Sequence, residues 1–201
     1  MPFRASIIKN IEKIKGLDIE IIAPSHGPIY KEKKDFIINA YSDWSSDKVK
    51  NEVIIPYVSM RDSTDKMVEY LKKSLTKKGI TVKIFHLNDS GDIGEFAMEL
   101  VDAATLVIGI PAILSGSHPN IVYAAYLVNT LKPKVKFISI IGAHGWGEKT
   151  VEMLTDIVST LKAEIIEPVV INGYPKDSDF ELLDELAEKI STRHVEIGAV
   201  D

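Results

Sequence analysis

The 201-residue chain carries 24 Lys and Arg against 29 Asp and Glu, a net charge of -5, and is 45% hydrophobic. That length suits one full α/β domain plus a modest extra element, the composition excludes disorder and collagen-like structure, and the acidic balance disfavours a nucleic-acid partner. Without a single Cys, this chain supplies no disulfide, thiolate nucleophile, zinc ribbon or iron–sulfur ligand.

No apolar run reaches the ~18 residues of a bilayer span, so no membrane partner is expected. The N-terminal MPFRASIIKN lacks the apolar core and cleavage site of a signal peptide. A cytoplasmic protein is the expectation.

In chain order, residues 4–15 read as a helix with Ile7, Ile8, Ile11 and Ile14 on one side. Residues 19–22 read as a short strand, 23–28 as a loop and 33–41 as a second helix. The polar segment from Ser42 to Glu52 has no apolar periodicity and reads as a linker.

Beyond it the pattern becomes regular. Val53–Val58 reads as a buried strand, with Pro56 suggesting an irregular or bulged edge. A helix over 63–78 puts Met67, Leu71 and Leu75 on one face and stops at Gly79. Strands follow at 80–87, 105–110, 135–141 and 165–171, separated by helices at 92–103, 119–131 and 147–162. A closing helix spans 178–191. Strands alternating with helical stretches make βαβ units with right-handed crossovers. The expected fold is α/β: a doubly wound five-stranded parallel sheet, order 2-1-3-4-5, with an N-terminal helix-strand-helix extension.

In such a sheet, ligands bind beyond the carboxyl ends of the strands. Three loops there have unusual composition. The first, Ser59-Met60-Arg61-Asp62-Ser63-Thr64, opens a helix whose unpaired amides and dipole suit an anion; plain N-capping by Ser63 or Asp62 is the alternative. The second, Gly109 to Pro119, is apolar and then Gly/Ser-rich, which suits a flat ring lying against backbone; a bare connector is the alternative. The third, Gly142-Ala143-His144-Gly145-Trp146-Gly147, has glycines that permit close approach and a Trp with little local support unless something stacks on it. Tyr123 and Tyr126 read as packing residues, Asp177 and Asp179 as caps. No nucleophile triad or GxxxxGK[ST] motif is present.

APSHGPIY (23–30), YSDWS (41–45), PYVSMRDST (56–64), VIGIPAILSG (107–116) and IIGAHGWGEK (140–149) together resemble the flavodiiron proteins. These join a metallo-β-lactamase-like diiron domain to a flavodoxin domain. The resemblance implies that 1–50 is the tail of the diiron domain with a linker, and that 53–191 is a flavodoxin-like FMN domain. It implies FMN held by Ser59, Met60, Arg61, Ser63 and Thr64 at the phosphate. Pro111, Ala112, Ile113, Leu114 and Gly116 would line one side of the ring, and Ala143, His144, Gly145, Trp146 and Gly147 the other. No acid–base catalytic residue is expected, because the flavin would carry the redox chemistry. Asp62 departs from the family's frequent Gly, setting a carboxylate near a phosphate dianion. Ala112 departs from a common hydroxyl residue.

His26, in SHGP, matches the family's last diiron histidine, but the upstream ligand cluster is absent from this chain, so a metal there needs ligands from another chain. The implied function is electron transfer. An external donor (a rubredoxin-like protein, reduced deazaflavin or nicotinamide) would feed FMN, which would pass electrons to a diiron partner, here a separate diiron-domain chain, reducing dioxygen or nitric oxide. A homo-oligomer is implied too. The rival expectations are a truncated module with a docking or assembly role, and an FMN-dependent reductase of a quinone-like acceptor.

Overall fold

The computed structural model describes residues 2–88, 93–113, 116–144 and 149–200; for Ala112, Ile113 and His144 only the backbone is described. The chain divides into two compact units, Met1–Lys48 and Val49–Asp201.

The first unit holds α1 (Arg4–Ile14) and α2 (Lys34–Ser45). The expected strand over 19–22 is reduced to one rung, Ile22 with Tyr30, each N–H donating to the other's carbonyl at 2.9 Å. Among the described residues, the unit provides no further strand to extend it. Helix α2 runs through Ser42–Ser45, which the polar composition had assigned to the linker. One contact within the helix and one from a distant residue explain the extra turn. Trp44 meets Tyr41 edge-on at 5.4 Å, and the Arg4 guanidinium donates to the carbonyls of Ser45 and Ser46 (3.1 and 2.7 Å), satisfying acceptors that a helix end leaves open.

The second unit contains β1 (Lys50–Tyr57), α3 (Ser63–Lys77), β2 (Thr81–His86), α4 (Ile93–Glu99), β3 (Ala103–Ile113), β4 (Gly116–Ser117), α5 (Pro119–Leu131), β5 (Phe137–His144), α6 (Lys149–Val158), β6 (Glu164–Ile165), β7 (Val169–Asn172) and α7 (Asp177–Glu196). The parallel order is β2-β1-β3-β5, with β6 and β7 both pairing β5 on the far side. This is the expected doubly wound sheet, its fifth strand split in two. Pro168 sits in the split and has no N–H for the ladder.

Alternate residues of β1 feed two cores. Val53, Ile55 and Tyr57 pack with Met67, Leu71 and Leu75 of α3 and Leu183, Leu186 and Ile190 of α7. Ile54 and Val58 join Phe96 of α4, Ile121 and Val128 of α5, and Leu154 and Val158 of α6 on the other face. The near-continuous apolar runs of the strands follow from this two-sided burial. Tyr70 and Ser74 hydroxyls both donate to Asp184 (2.7 and 2.5 Å), tying α3 to α7.

Pro56 is not at an irregular edge, as expected from its type. It is buried in central β1 opposite Phe85, and the register shift lies between Lys50 and Val53 instead. The α7 helix outruns its expected end because His194 is wholly buried and anchors the last turn. Tyr123 and Tyr126 are 54% and 62% exposed, so neither is the packing residue expected. Among the described residues, no helix is long and apolar enough to cross a membrane.

Candidate functional site

The carboxyl ends of β1, β3, β5 and β7 lie together, with Tyr57 opposite Gly109, Pro111 opposite Ala143, and His144 opposite Asn172. Two glycines make this approach possible. A Cβ on Gly109 would come within 2.5 Å of the Tyr57 Cβ, and one on Gly142 within 2.3 Å of the Ile110 carbonyl oxygen. Both distances are impossible for a side chain, so the strands close up only with glycine there.

After β1 the chain enters the Ser59–Thr64 loop. Asp62 precedes α3 in the left-handed region (φ 59°, ψ -4°) and makes no side-chain cap. The alternative of capping by Ser63 or Asp62 gives way to Ser59, whose Oγ accepts from the Asp65 N–H at 3.3 Å. Ser63 and Thr64 open the helix, so their N–H groups have no carbonyl one turn back to receive them. Together with the helix dipole they make the start of α3 chemically suited to an anion. Ser59 is buried and keeps a hydroxyl proton to donate; Met60 and Arg61 are exposed; Ser63 is half-buried.

Thr64 differs from expectation in one respect. Its side chain is fully buried and Oγ1 donates to the Ile110 carbonyl at 3.1 Å. Its hydroxyl therefore ties α3 to β3, and only its N–H is left for a ligand. Under the loop, the Tyr57 hydroxyl donates to Asp65 at 2.8 Å, and Tyr57 stacks on His86 at 4.7 Å. Burial first, then the Asp65 carboxylate, raises the Tyr57 hydroxyl pKa above its ordinary value. Lys66, four residues after Asp62, places Nζ 4.7 Å over the Tyr174 ring, beyond the end of β7.

The second loop is more ordered than its composition suggested. Residues Pro111–Ile113 continue β3, and Ala112 and Ile113 pair antiparallel with Ser117 and Gly116 of β4. Pro111 is tolerated because β1 pairing ends at Gly109, so that among the described residues only β5 pairs β3 at that point. Pro111 and Ala143 are buried, Gly116 half-buried. His144 ends β5; Leu114, Gly145, Trp146 and Gly147 lie outside the described residues. His26 is exposed in the loop of the first unit, and among the described residues no three His, Cys, Asp or Glu side chains gather as a metal would need.

Sequence reasoning overlooked Asn88 and Asn120. Asn88 follows β2 and holds both backbone groups of Ser59: Nδ2 donates to its carbonyl at 2.7 Å, and Oδ1 accepts its N–H at 3.1 Å. Asn120 of α5 donates to the Leu87 and Asn88 carbonyls (2.5 and 3.4 Å). The only available signal was an Asn just past a strand end on the ligand-bearing side.

No family model matches the chain. It is 33% identical over 197 residues to a nitric oxide reductase of Moorella thermoacetica, covering 96% of this chain and 49% of that protein. Its fold superposes on rubredoxin oxygen:oxidoreductase of Desulfovibrio gigas with a TM-score of 0.89 at 26% identity, over 96% of this chain and 49% of the other. The chain belongs to the flavodiiron protein family. A flavodiiron protein from Giardia intestinalis shares the fold at TM-score 0.84 and 20% identity, over 96% and 49% of the two chains. The chain spans about half the length of the curated relatives it matches. Its second unit has the flavodoxin-like doubly wound order, with the fifth position shared by β6 and β7.

Proposed function

We propose that the second unit binds FMN at the carboxyl ends of β1, β3 and β5, and that the protein is the electron-transfer part of a diiron oxygen or nitric oxide reductase. The observation that carries this reading is the start of α3. Its first amides lie open beside a buried Ser59, in a loop held by Asn88, and such a cradle suits a phosphate monoester.

The donor set fits the group. Backbone N–H groups of Ser63 and Thr64, the Ser59 and Ser63 hydroxyls, and Arg61 would hold the phosphate. Pro111–Leu114, with Gly116, would lie on one side of the ring and Ala143–Gly147 on the other. The Asp62 carboxylate opposes the phosphate charge, partly offset by Arg61 and Lys66, and lowers affinity without closing the site. When bound, FMN would accept and release electrons; the protein's own residues anchor it, exclude water from its ring and set its potential through backbone contacts.

Residues 1–50 are the tail of the diiron domain with its linker in this reading. His26 would serve as one iron ligand, completed by side chains from the rest of the diiron domain or a separate chain. A cytoplasmic, homo-oligomeric assembly fits it, with a rubredoxin-like protein, deazaflavin or nicotinamide as electron source. The docking-module alternative accounts for none of the open amides.

Purified protein reconstituted with flavin is expected to be yellow and to retain about one FMN per chain after desalting. Protein that stays colourless after incubation with excess FMN defeats the reading.

A further inference from the structure

β1 runs out of ladder partners just before the loop that opens α3. Its pairing with β2 ends where the Leu87 N–H donates to the Tyr57 carbonyl at 2.8 Å. Its pairing with β3 ends where the Val58 N–H donates to the Gly109 carbonyl at 3.2 Å. Ser59 is the next residue and is buried, so its backbone N–H and carbonyl need partners that neither strand supplies. The Asn88 side chain fills that need, because a carboxamide carries one acceptor and a donor pair in the plane of a peptide group. The two bonds at 2.7 and 3.1 Å make it one further rung of the β1–β2 ladder.

Asn88 is itself fixed. Asn120, at the second position of α5, donates to the Leu87 and Asn88 carbonyls, while its own N–H donates to Nδ1 of His118 at 3.2 Å. The start of α5 thereby holds the end of β2, which holds Ser59. Ser59 in turn receives the Asp65 N–H, setting where the helix begins.

We infer that Asn88 is a positioning residue of the phosphate loop, its side-chain amide serving as a rung that aims the open amides at the start of α3, with Asn120 as its brace. Neither residue is among those that would hold the phosphate. Only a carboxamide serves here: Asp lacks the donor for the Ser59 carbonyl, and Ala leaves both buried Ser59 groups without that partner.

This inference rests on the FMN reading above, and its test separates the two. Fluorescence titration of wild type, Asn88→Ala, Asn88→Asp and Asn120→Ala is run with FMN and with riboflavin, which has the same ring and no phosphate. Wild type is expected to prefer FMN. Asn88→Ala should lose about tenfold in FMN affinity with riboflavin affinity unchanged. Asn88→Asp should lose more, and Asn120→Ala less, in the same direction. A folded Asn88→Ala protein, checked by circular dichroism, that keeps the wild-type FMN preference or weakens both flavins equally would overturn the inference alone. If Asn88→Ala does not fold, Asn120→Ala decides by the same comparison. Wild type that binds neither flavin would remove the FMN reading and this inference with it.

Discussion

Where the parallel strands begin, polar side chains are matched to one another; where they end, backbone donors are left open. At the beginning, Asp102 before β3 meets Lys134 before β5 at 2.7 Å and Lys50 of β1 at 3.1 Å. Burial alone would raise the Asp102 carboxyl, but bonds and charge from Lys134 and Lys50 outweigh it and hold the pKa below the usual value. Beside it, the buried His194 ring lies between Thr105 Oγ1 (2.7 Å) and Asn51 Oδ1 (2.8 Å). The Asn51 amide nitrogen donates to the Gly79 carbonyl, which turns its oxygen to the ring. A neutral imidazole with its proton on Nδ1 satisfies both neighbours. At the opposite end, α3 begins with a left-handed Asp62 and no cap of its own. One end of the sheet is closed by paired side chains and the other leaves backbone donors open.

Mutations at the closed end should therefore affect folding, not flavin. Asp102→Ala removes the carboxylate facing a Lys134 side chain that is 1% exposed. A loss of about 4 kcal/mol in unfolding free energy is expected, measured by urea denaturation. A loss below about 1 kcal/mol would mean that this end is not where stability is concentrated.

Acidification tests the same end. Burial lowers the His194 pKa to about 4 from 6.5, so the unfolded chain binds a proton that the folded one refuses. The stabilisation is complete above pH 6.5 and is lost as pH falls to about 4, by about 3 kcal/mol at 1.36 kcal/mol per unit. His194→Gln should flatten this slope in urea midpoints measured between pH 7 and 4. An unchanged slope would contradict the assignment.

The smallest effect sharpens the open end. Asp62→Gly removes a side chain from a left-handed backbone and a carboxylate from beside the phosphate cradle. Stability should rise by about 1 kcal/mol, and FMN should bind severalfold more tightly with riboflavin unaffected. A weaker FMN complex would show that Asp62 donates a useful contact.

Several elements were legible without coordinates because their signals are local. The α5 bounds follow from Pro119 at its first turn and Lys132-Pro133 after it, and the end of α3 follows from Gly79 (φ 77°). The ligand end was legible for a different reason: in a doubly wound sheet, loop position follows from strand order alone. What escaped was everything that depends on a distant partner. The last turn of α2 needed Arg4, the last turns of α7 needed the pocket around His194, and the extension of β3 needed β4.

From its own residues, the chain determined the alternation of strands and helices, the sheet order and the position of the candidate loops, because apolar periodicity and Gly/Pro punctuation act over a few neighbours. Only the tertiary structure decided that Thr64 turns its hydroxyl inward, that Ser59 caps α3, and that Asn88 and Asn120 hold the loop. The Thr64 hydroxyl meets the Ile110 carbonyl across 46 residues and the Asn88 amide meets Ser59 across 29, and it is this held Ser59 that receives the Asp65 N–H; no local pattern encodes pairings at such distances.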